Sequence, residues 1–432
     1  MQAIKFAVPR LRYKSILLWI SFATAFVSGL YIETPVGVLF FSYFVMAATY
    51  ISMIVFNRSF GVAKEFIFLF LVLLIASLIS VLLTYDSYGL LVERVIFASA
   101  KAALLMFFVV YYHSAYRLAG KSVTAVFEKY LQVATFFAWL GIAQQLFFVV
   151  ARVDIFSLFT HGAKDYGAYL GVAGMSVEPA FYACALLPAA AYHTSGFVRN
   201  FKISFGGAAT ILALIFSTSS LGYLGLFAAV AISFFTGLNP KKLWILAFTV
   251  PFALFGAYKL VDTEFFQLRL NDTISMIENT DLTVDDGINI STYSAVVNAS
   301  IAQRSVSDNF GVGAGFGMYN VVFDKYIDQY DIPAYRDDLP GRGSATSLLS
   351  RLTAELGVGA WMFLSLFFFW IWRAIRAEIY PAIGIACLST LIIILLRMGE
   401  YYANGVVFVF LLIYLMNKEF RLFRRNKKIS LV

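Results

Sequence analysis

The sequence predicts an all-α polytopic membrane protein that crosses the bilayer about twelve times. Of its 432 residues, 61% are hydrophobic and only 13% are charged, and the mean hydropathy is +0.79. A soluble domain of this length needs far more polar surface than these residues provide. Apolar runs long enough to cross a bilayer as helices, about 20 residues each, recur along the whole chain. One long acidic segment interrupts them.

The predicted spans form a group of nine before the acidic segment and a group of three after it. The first run is predicted to be a true span and not a cleaved signal, because it is long and has no small-residue cleavage pattern. The predicted spans are residues 15–33, 36–56, 66–84, 95–113, 130–151, 179–194, 203–219, 221–237, 243–262, 355–373, 379–397 and 403–417.

The acidic segment predicts a large, partly helical extracytoplasmic loop between spans nine and ten. Between Asp262 and Arg351 there are 13 Asp or Glu residues against 6 Lys or Arg. Short helices are predicted at residues 268–277, 288–302 and 318–330, and a further helix begins near Ser344 and continues into span ten. The chain thus divides into residues 1–262 with spans one to nine and an outer loop at 152–178, the loop 263–354, residues 355–417 with spans ten to twelve, and a basic tail, 418–432.

The distribution of charge predicts that both termini are cytoplasmic, because loops rich in Lys and Arg stay on that side. With the N-terminus inside, the cytoplasmic parts carry 21 Lys or Arg and 4 Asp or Glu. The opposite side and its membrane edge carry 12 and 21. The basic balance therefore indicates membrane lipid with anionic headgroups as the partner, and no nucleic acid. Residues 114–129 are predicted to form an interfacial helix on the inner face.

Polar side chains within the spans concentrate in the outer half of the predicted bundle. Lys101 lies about 10 Å from the outer end of its span at 1.5 Å per residue, and Gln144 and Gln145 lie at a similar depth. Since polar groups inside a membrane are costly, we expect them to line a cavity that is open outward and covered by the acidic loop. The alternative is that each satisfies an interhelical hydrogen bond.

Glu178 precedes Pro179 where the outer loop 152–178 enters span six. Proline is favoured in the first turn of a helix, so Glu178 is expected at the helix N-terminus, where the dipole keeps a carboxylate ionised. It is a candidate catalytic base acting on a sugar hydroxyl. The alternative is a capping residue with no further task.

Cationic side chains flank the predicted cavity, and guanidinium groups suit a diphosphate through paired charge-assisted hydrogen bonds. Arg304 is, with Glu178, a candidate catalytic residue. The alternative for two of the arginines is a structural salt bridge, Arg351 with Glu355 and Arg397 with Glu400. The candidate diphosphate ligands are Arg342, Arg351, Arg397 and Lys101.

Flat aromatic faces and hydroxyls suit a carbohydrate, although aromatic residues at membrane interfaces also serve as anchors. The glycine run from Gly311 to Gly317 has no Gly-Lys-Ser/Thr after it, so a nucleotide phosphate loop is rejected, and close backbone approach with exposed N–H groups is expected instead. No metal site and no cofactor motif is evident, and both cysteines fall within spans. The candidate sugar-binding residues are Tyr319, Tyr335, Tyr401 and Glu400.

The chain resembles the O-antigen polymerase family, within the O-antigen ligase and polymerase superfamily. The resemblance covers the whole topology, and its local signals keep the order and membrane side typical of that family. These signals are Glu178 to Phe181, Ser217 to Ser220, Phe310 to Gly317, and Ser347 to Gly357.

The resemblance implies a GT-C-like fold and a metal-independent glycosyltransferase of lipopolysaccharide biosynthesis in the bacterial inner membrane. The growing glycan would leave undecaprenyl diphosphate and join the non-reducing sugar of a new lipid-linked unit on the periplasmic side. The arginines would bind the departing diphosphate, and Glu178 would accept the proton of the incoming hydroxyl. The family also implies a partner that regulates chain length.

Two alternative functions remain. O-antigen ligases, which transfer glycan to lipid A core, usually have a histidine before the span that follows the large loop and Ser-Arg where this chain has Ser219-Ser220. Residues 343–347 contain no histidine, so both departures favour a polymerase. A flippase or transporter of lipid-linked sugars is the second alternative, but it gives no reason for the large outer loop.

Overall fold

The computed structural model describes residues 4–34, 37–57, 62–89, 91–160, 165–236, 290–330, 341–403 and 405–429. Within these ranges the chain forms fifteen α-helices, two short 3-10 helices and one two-stranded hairpin. The prediction of a mostly helical protein with helices able to cross a membrane is confirmed. The predicted ninth span, 243–262, and the predicted helix at 268–277 lie outside the described residues.

The helices follow the apolar runs of the sequence for most of the chain. The α-helices are α1 Ile4–Ala23, α2 Phe41–Asn57, α3 Lys64–Leu83, α4 Tyr85–Tyr88, α5 Leu91–Leu118, α6 Val123–Ala151, α7 Pro179–Asn200, α8 Phe205–Phe216, α9 Ser220–Phe235, α10 Ile290–Asp308, α11 Tyr319–Tyr326, α12 Leu348–Leu356, α13 Val358–Arg376, α14 Pro381–Arg397 and α15 Val406–Ile429. The 3-10 helices are Thr24–Phe26 and Ile327–Gln329.

Four of the described helices are long and apolar enough to cross a membrane, namely α3, α5, α6 and α13. Shorter apolar helices are present in α2, α8, α9 and α14. Helix α7 packs against α8, α9 and α14, while α5 packs against α3 and α15. A total of twelve spans remains a prediction, because the length of several of these helices is below that of a full crossing.

The predicted first span is too long at its C-terminal end. The helix ends at Ala23, and a β-hairpin follows, with β1 Tyr31–Thr34 antiparallel to β2 Gly37–Phe40. The N–H of Phe41 closes the hairpin by donating to the carbonyl of Leu30 at 2.9 Å. Aromatic and β-branched residues dominate these strands, and such residues favour extended backbone over helix. The prediction that residues 15–33 form one helix is therefore wrong.

The predicted interfacial helix at residues 114–129 is also absent. Helix α5 continues to Leu118, and α6 begins at Val123. Gly120 takes a positive φ of 84°, which glycine adopts without steric cost. The hydroxyl of Ser122 then accepts a hydrogen bond from the N–H of Ala125 at 3.2 Å and caps α6. A glycine and an N-cap serine thus divide this stretch between two long helices.

A second break separates α12 from α13, where one continuous helix was predicted. Gly357 has a φ of +59°, and a Cβ added there would lie 2.1 Å from the carbonyl oxygen of Gly311. The N–H of Val358 donates to that same carbonyl at 3.0 Å. Because only glycine fits this close approach, the chain turns at 357 and α12 is a helix separate from α13.

The segments predicted to be cytoplasmic contact one another at one end of the bundle. The Glu419 carboxylate accepts hydrogen bonds from the hydroxyl of Tyr116 at 3.0 Å, the N–H of Val123 at 2.9 Å and the hydroxyl of Tyr380. Helix α15 carries this residue and continues through the basic tail to Ile429. The glycine-rich loop and α12 lie at the other end. Which side of a membrane each end faces remains a prediction.

Candidate functional site

The glycine-rich loop packs directly on the backbone of α12. The N–H of Ala314 donates to the carbonyl of Ala354 at 2.9 Å, and that of Gly315 donates to the carbonyl of Glu355 at 2.9 Å. A Cβ added to Gly313 would lie 2.3 Å from the backbone carbon and oxygen of Glu355. The close backbone approach predicted for these glycines is confirmed.

The N–H groups from Ala314 to Gly317 form hydrogen bonds within the protein, contrary to the prediction that the loop exposes them. The N–H of Phe316 donates to the hydroxyl of Ser77 at 2.8 Å, and the N–H of Gly317 donates to Oε2 of Glu355 at 2.8 Å. Together with the amides of Ala314 and Gly315, these donors are used within the protein. The loop therefore serves to join α12 to α3 and does not form an anion-binding concavity of backbone amides.

Glu355 is the centre of a buried polar network. Its side chain is 0% exposed, and it accepts hydrogen bonds from Nε of Arg351 at 3.1 Å, from the N–H groups of Gly317 and Tyr319 at 2.8 and 3.3 Å, and from the hydroxyl of Tyr401. A buried carboxylate needs such partners to offset the loss of water. The Glu355 network, as we name it, comprises Lys101, Gly317, Tyr319, Arg351, Glu355, Glu400 and Tyr401.

Arg351 links the interior of the Glu355 network to its exposed edge. Its side chain is 3% exposed, yet Nη1 lies 3.1 Å from Oε2 of Glu400, which is 31% exposed, and 2.9 Å from the carbonyl of Gly399. The guanidinium carbon lies 4.2 Å from the ring centroid of Tyr401. Burial opposes the charge, but Tyr401, Glu400 and Glu355 hold the pKa of Arg351 well above its usual value. The cation is therefore fixed in charge and in orientation.

Lys101 brings a second cation to the network from α5. Its Nζ donates to the carbonyl of Gly317 at 2.7 Å, and its own backbone carbonyl accepts from the hydroxyl of Tyr402 at 2.6 Å. It interacts electrostatically with Arg351, Glu355 and Glu400. Two cations and two carboxylates thus balance one another where the loop meets the bundle.

Two of the predicted sugar-binding tyrosines lie in the interior. Tyr319 and Tyr401 are both buried, and their hydroxyls donate to Asn298 and to Glu355. Burial raises the pKa of both phenols, so each stays a neutral donor. In this structure their rings hold the Glu355 network together and present no face to a solvent-borne sugar.

Three further residues that were predicted for the site lie at the start of α7, on α10 and at the end of α14. Glu178 occupies the N-cap position of α7, as predicted, and its side chain makes no capping hydrogen bond. Arg304 is exposed on α10, and Arg397 ends α14 half-buried. Tyr335 lies outside the described residues.

Arg342 forms an exposed ion pair, with side chains 49% and 43% exposed. Its Nη2 donates to Oδ2 of Asp324 at 2.6 Å, and this hydrogen bond and charge raise the pKa of Arg342. Nothing in the local sequence indicates Asp324 as the partner of Arg342, because the two residues are 18 positions apart.

Arg94 was not predicted, although it supports the same loop. Its side chain is buried, and Nη2 donates to the carbonyl of Ala314 at 2.7 Å and to the hydroxyl of Thr84 at 2.6 Å. Nη1 lies 3.3 Å from the carbonyls of Thr84 and Gly89. No acidic side chain among the described residues pairs with it. The one signal in the sequence is an arginine at the edge of a long apolar run.

Gln144 and Gln145 bind the segment between α6 and α7, which is predicted to be an outer loop. Oε1 of Gln144 accepts from the N–H of Gly174 at 2.8 Å, and its Nε2 donates to Asp154 at 2.8 Å. Oε1 of Gln145 accepts from the N–H of Leu170 at 3.3 Å. Both glutamines are therefore satisfied within the protein, but their partners belong to the segment between α6 and α7 and not to another helix, as the alternative expected. These hydrogen bonds fix that segment on the end of α6.

Neither protein-family models nor curated proteins provide a relative of this chain. Within the described residues, no group of three or more His, Cys, Asp or Glu side chains has the spacing to hold a metal ion.

Proposed function

We propose that this protein is a glycosyltransferase that polymerises lipid-linked oligosaccharide repeat units at the outer face of the bacterial inner membrane. The growing glycan is transferred from undecaprenyl diphosphate to the non-reducing end of a new undecaprenyl-diphosphate-linked unit. The observation that carries the proposal is Arg351, a buried cation that binds the buried Glu355 on one side and the partly exposed Glu400 on another.

The transfer requires a cation at the departing diphosphate, because negative charge develops there as the glycosidic C–O bond breaks. A guanidinium group can donate two parallel hydrogen bonds to phosphate oxygens. Glu355 and the ring of Tyr401 already hold Arg351 in one orientation. A pre-oriented donor costs no reorganisation during the reaction, which favours catalysis over simple binding.

The energetic cost of this network also supports a functional role. Burying two charged side chains costs several kcal/mol per ion, and a hydrophobic pair of similar volume is often as stable or more stable. Ionisable groups within membrane spans, such as Lys101 in α5, are therefore uncommon and often mark a functional site. Arg351, Glu355 and Lys101 lie at the end of the bundle that the charge pattern predicts to face outward.

In the proposed mechanism the diphosphate replaces Glu400 on Arg351. The hydroxyl oxygen of the acceptor sugar attacks the anomeric carbon of the donor, and its proton passes to a carboxylate, for which Glu178 is the candidate. Undecaprenyl diphosphate leaves with the electron pair of the broken bond. Lys101, Arg304, Arg342 and Arg397 are the further candidate ligands of the diphosphate, and a chain-length regulator is a candidate partner.

The proposal is tested with the purified protein in proteoliposomes that contain undecaprenyl-diphosphate-linked repeat units. We expect a ladder of products that differ by one unit, with one undecaprenyl diphosphate released for each unit added. A product that forms only when lipid A core is supplied would identify a ligase instead. Movement of labelled lipid across the bilayer without a new glycosidic bond would identify a flippase, and either result would overturn the proposal.

A further inference from the structure

A second group of arginines lies at the opposite end of the bundle, the end predicted to be cytoplasmic. Arg373 is in the last turn of α13, and Arg421 and Arg424 are on α15. The ring centroid of Phe420 lies 4.7 Å from the guanidinium carbon of Arg373 and 4.7 Å from that of Arg424. Both Arg421 and Arg424 are close enough to repel Arg373 electrostatically. We name Arg373, Arg421 and Arg424 the arginine triad.

The arginine triad has no acidic partner in the part of the chain that the structure describes. Arg373 donates to the side-chain oxygen of Asn417, a neutral group, and lies 5.6 Å from the ring of Phe369. The nearest acidic residue along α15 is Glu419, and its carboxylate binds Tyr116, Val123 and Tyr380 instead. Three like charges on one small surface repel one another unless an anion lies between them.

The face of α15 opposite the arginine triad is apolar and exposed. At 100° per residue, the face of α15 that meets Arg373 carries Asn417, Phe420, Arg421 and Arg424. Leu422 and Phe423 lie on the other face. Leu422 and Phe423 are 53% and 58% exposed. A helix with cations on one face and exposed apolar side chains on the other is typical of the membrane interface.

We propose that the arginine triad binds the phosphate of an anionic phospholipid headgroup in the inner leaflet. Guanidinium groups match phosphate oxygens in geometry and in charge. The exposed side chains of Leu422 and Phe423 would contact the acyl chains of surrounding lipid. A free phosphate ion has no acyl chains and would leave these side chains in water. The lipid thereby joins the ends of α13 and α15 and relieves the repulsion among the three arginines. This proposal does not depend on the reaction that the protein catalyses.

The test uses the full-length protein in detergent, titrated with phosphatidylglycerol, phosphatidylcholine or inorganic phosphate while thermal unfolding is followed. The test variant is Arg373→Gln/Arg421→Gln/Arg424→Gln. The matched control, Arg12→Gln/Lys121→Gln/Lys202→Gln, removes the same charge from exposed residues of the same predicted side. A second test variant, Arg421→Gln alone, keeps the contacts of Arg373 in case the triple variant does not fold.

We expect phosphatidylglycerol to raise the midpoint of unfolding of the wild type and of the control more than phosphatidylcholine does. Since each cation near an anionic surface adds to the affinity, the triple variant should need about a hundredfold more phosphatidylglycerol. Arg421→Gln should need several-fold more, by the same reasoning. Equal loss in the control, no loss in either test variant, or an equal response to inorganic phosphate would each overturn the proposal.

Discussion

Arg351 and Arg342 are both arginines of the predicted outer loop, but their surroundings differ. Arg351 is 3% exposed and bonds to two carboxylates, whereas Arg342 is 49% exposed and pairs with one. Removing one partner of a buried ion pair leaves the other charge unpaired, while water replaces the lost partner at the surface. The same residue type therefore carries different energetic weight at the two positions.

We predict that Arg351→Ala lowers the free energy of unfolding by about 3–5 kcal/mol, because Glu355 would remain buried without its cation. Arg342→Ala should lower it by less than about 1 kcal/mol. Chemical unfolding of the two purified variants in the same detergent gives the comparison. Equal losses in the two variants would show that the Arg351 ion pairs do not contribute more than an exposed one.

We predict that Arg94 stabilises the glycine-rich loop by donating a hydrogen bond to the carbonyl of Ala314. Arg94→Met removes the donors to Thr84 and Ala314, and each carbonyl left unsatisfied costs about 1–3 kcal/mol. Hydrogen exchange at the amides of residues 314–317 should become faster in this variant, while the exposed control Arg152→Met should leave it unchanged. Unchanged exchange in Arg94→Met would contradict the role assigned to Arg94.

Some of the contacts between individual residues of the site were predictable from the sequence. The Arg351–Glu355 ion pair follows from their spacing of one helical turn and was recognised as an alternative. The central position of Glu355 was not predictable, because its other donors come from residues 317, 319 and 401, which only tertiary packing brings together. For the same reason Arg94 could not be linked to Ala314.

Among the elements, the glycine-rich loop and α12 depend on each other. The loop was predicted from its composition, and its glycines do allow the close approach, but the partner helix could not be identified from local sequence. Helix boundaries were predicted where strong local signals act, as at Pro179 in α7. They were missed where one residue decides the break, as at Gly357 and at Ser122.

We predict that Gly313→Ala prevents the loop from packing on α12. The new Cβ would meet the backbone of Glu355 at 2.3 Å, and backbone cannot move aside as a flexible side chain can. Gly343→Ala is the matched control, because nothing lies within 4 Å of a Cβ there. The yield of monodisperse protein and its midpoint of thermal unfolding should fall in the first variant only. A stable, wild-type-like Gly313→Ala protein would contradict the described loop geometry.

For the whole molecule, composition and hydropathy were sufficient to predict a helical membrane protein. The polar side-chain contacts form two groups at opposite ends of the helix bundle. One group surrounds Glu419 and the other surrounds Glu355. The number of spans could not be fixed by apolar runs, because runs such as 15–33 also supply strand and turn residues. The proposed reaction depends on side chains from separate helices, and patterns along the chain do not show which of these side chains come together.

The most direct test of the central claim is polymerisation by Arg351→Lys in proteoliposomes, compared with the control Arg152→Lys, an exposed residue of the predicted outer loop 152–178. Lysine keeps the positive charge but loses the planar pair of donors that a diphosphate requires. We predict that Arg351→Lys lowers the rate of unit addition by about a hundredfold or more, with a thermal midpoint close to that of the wild type. Arg152→Lys should retain the wild-type ladder. A full-length ladder from folded Arg351→Lys at the wild-type rate would contradict the account.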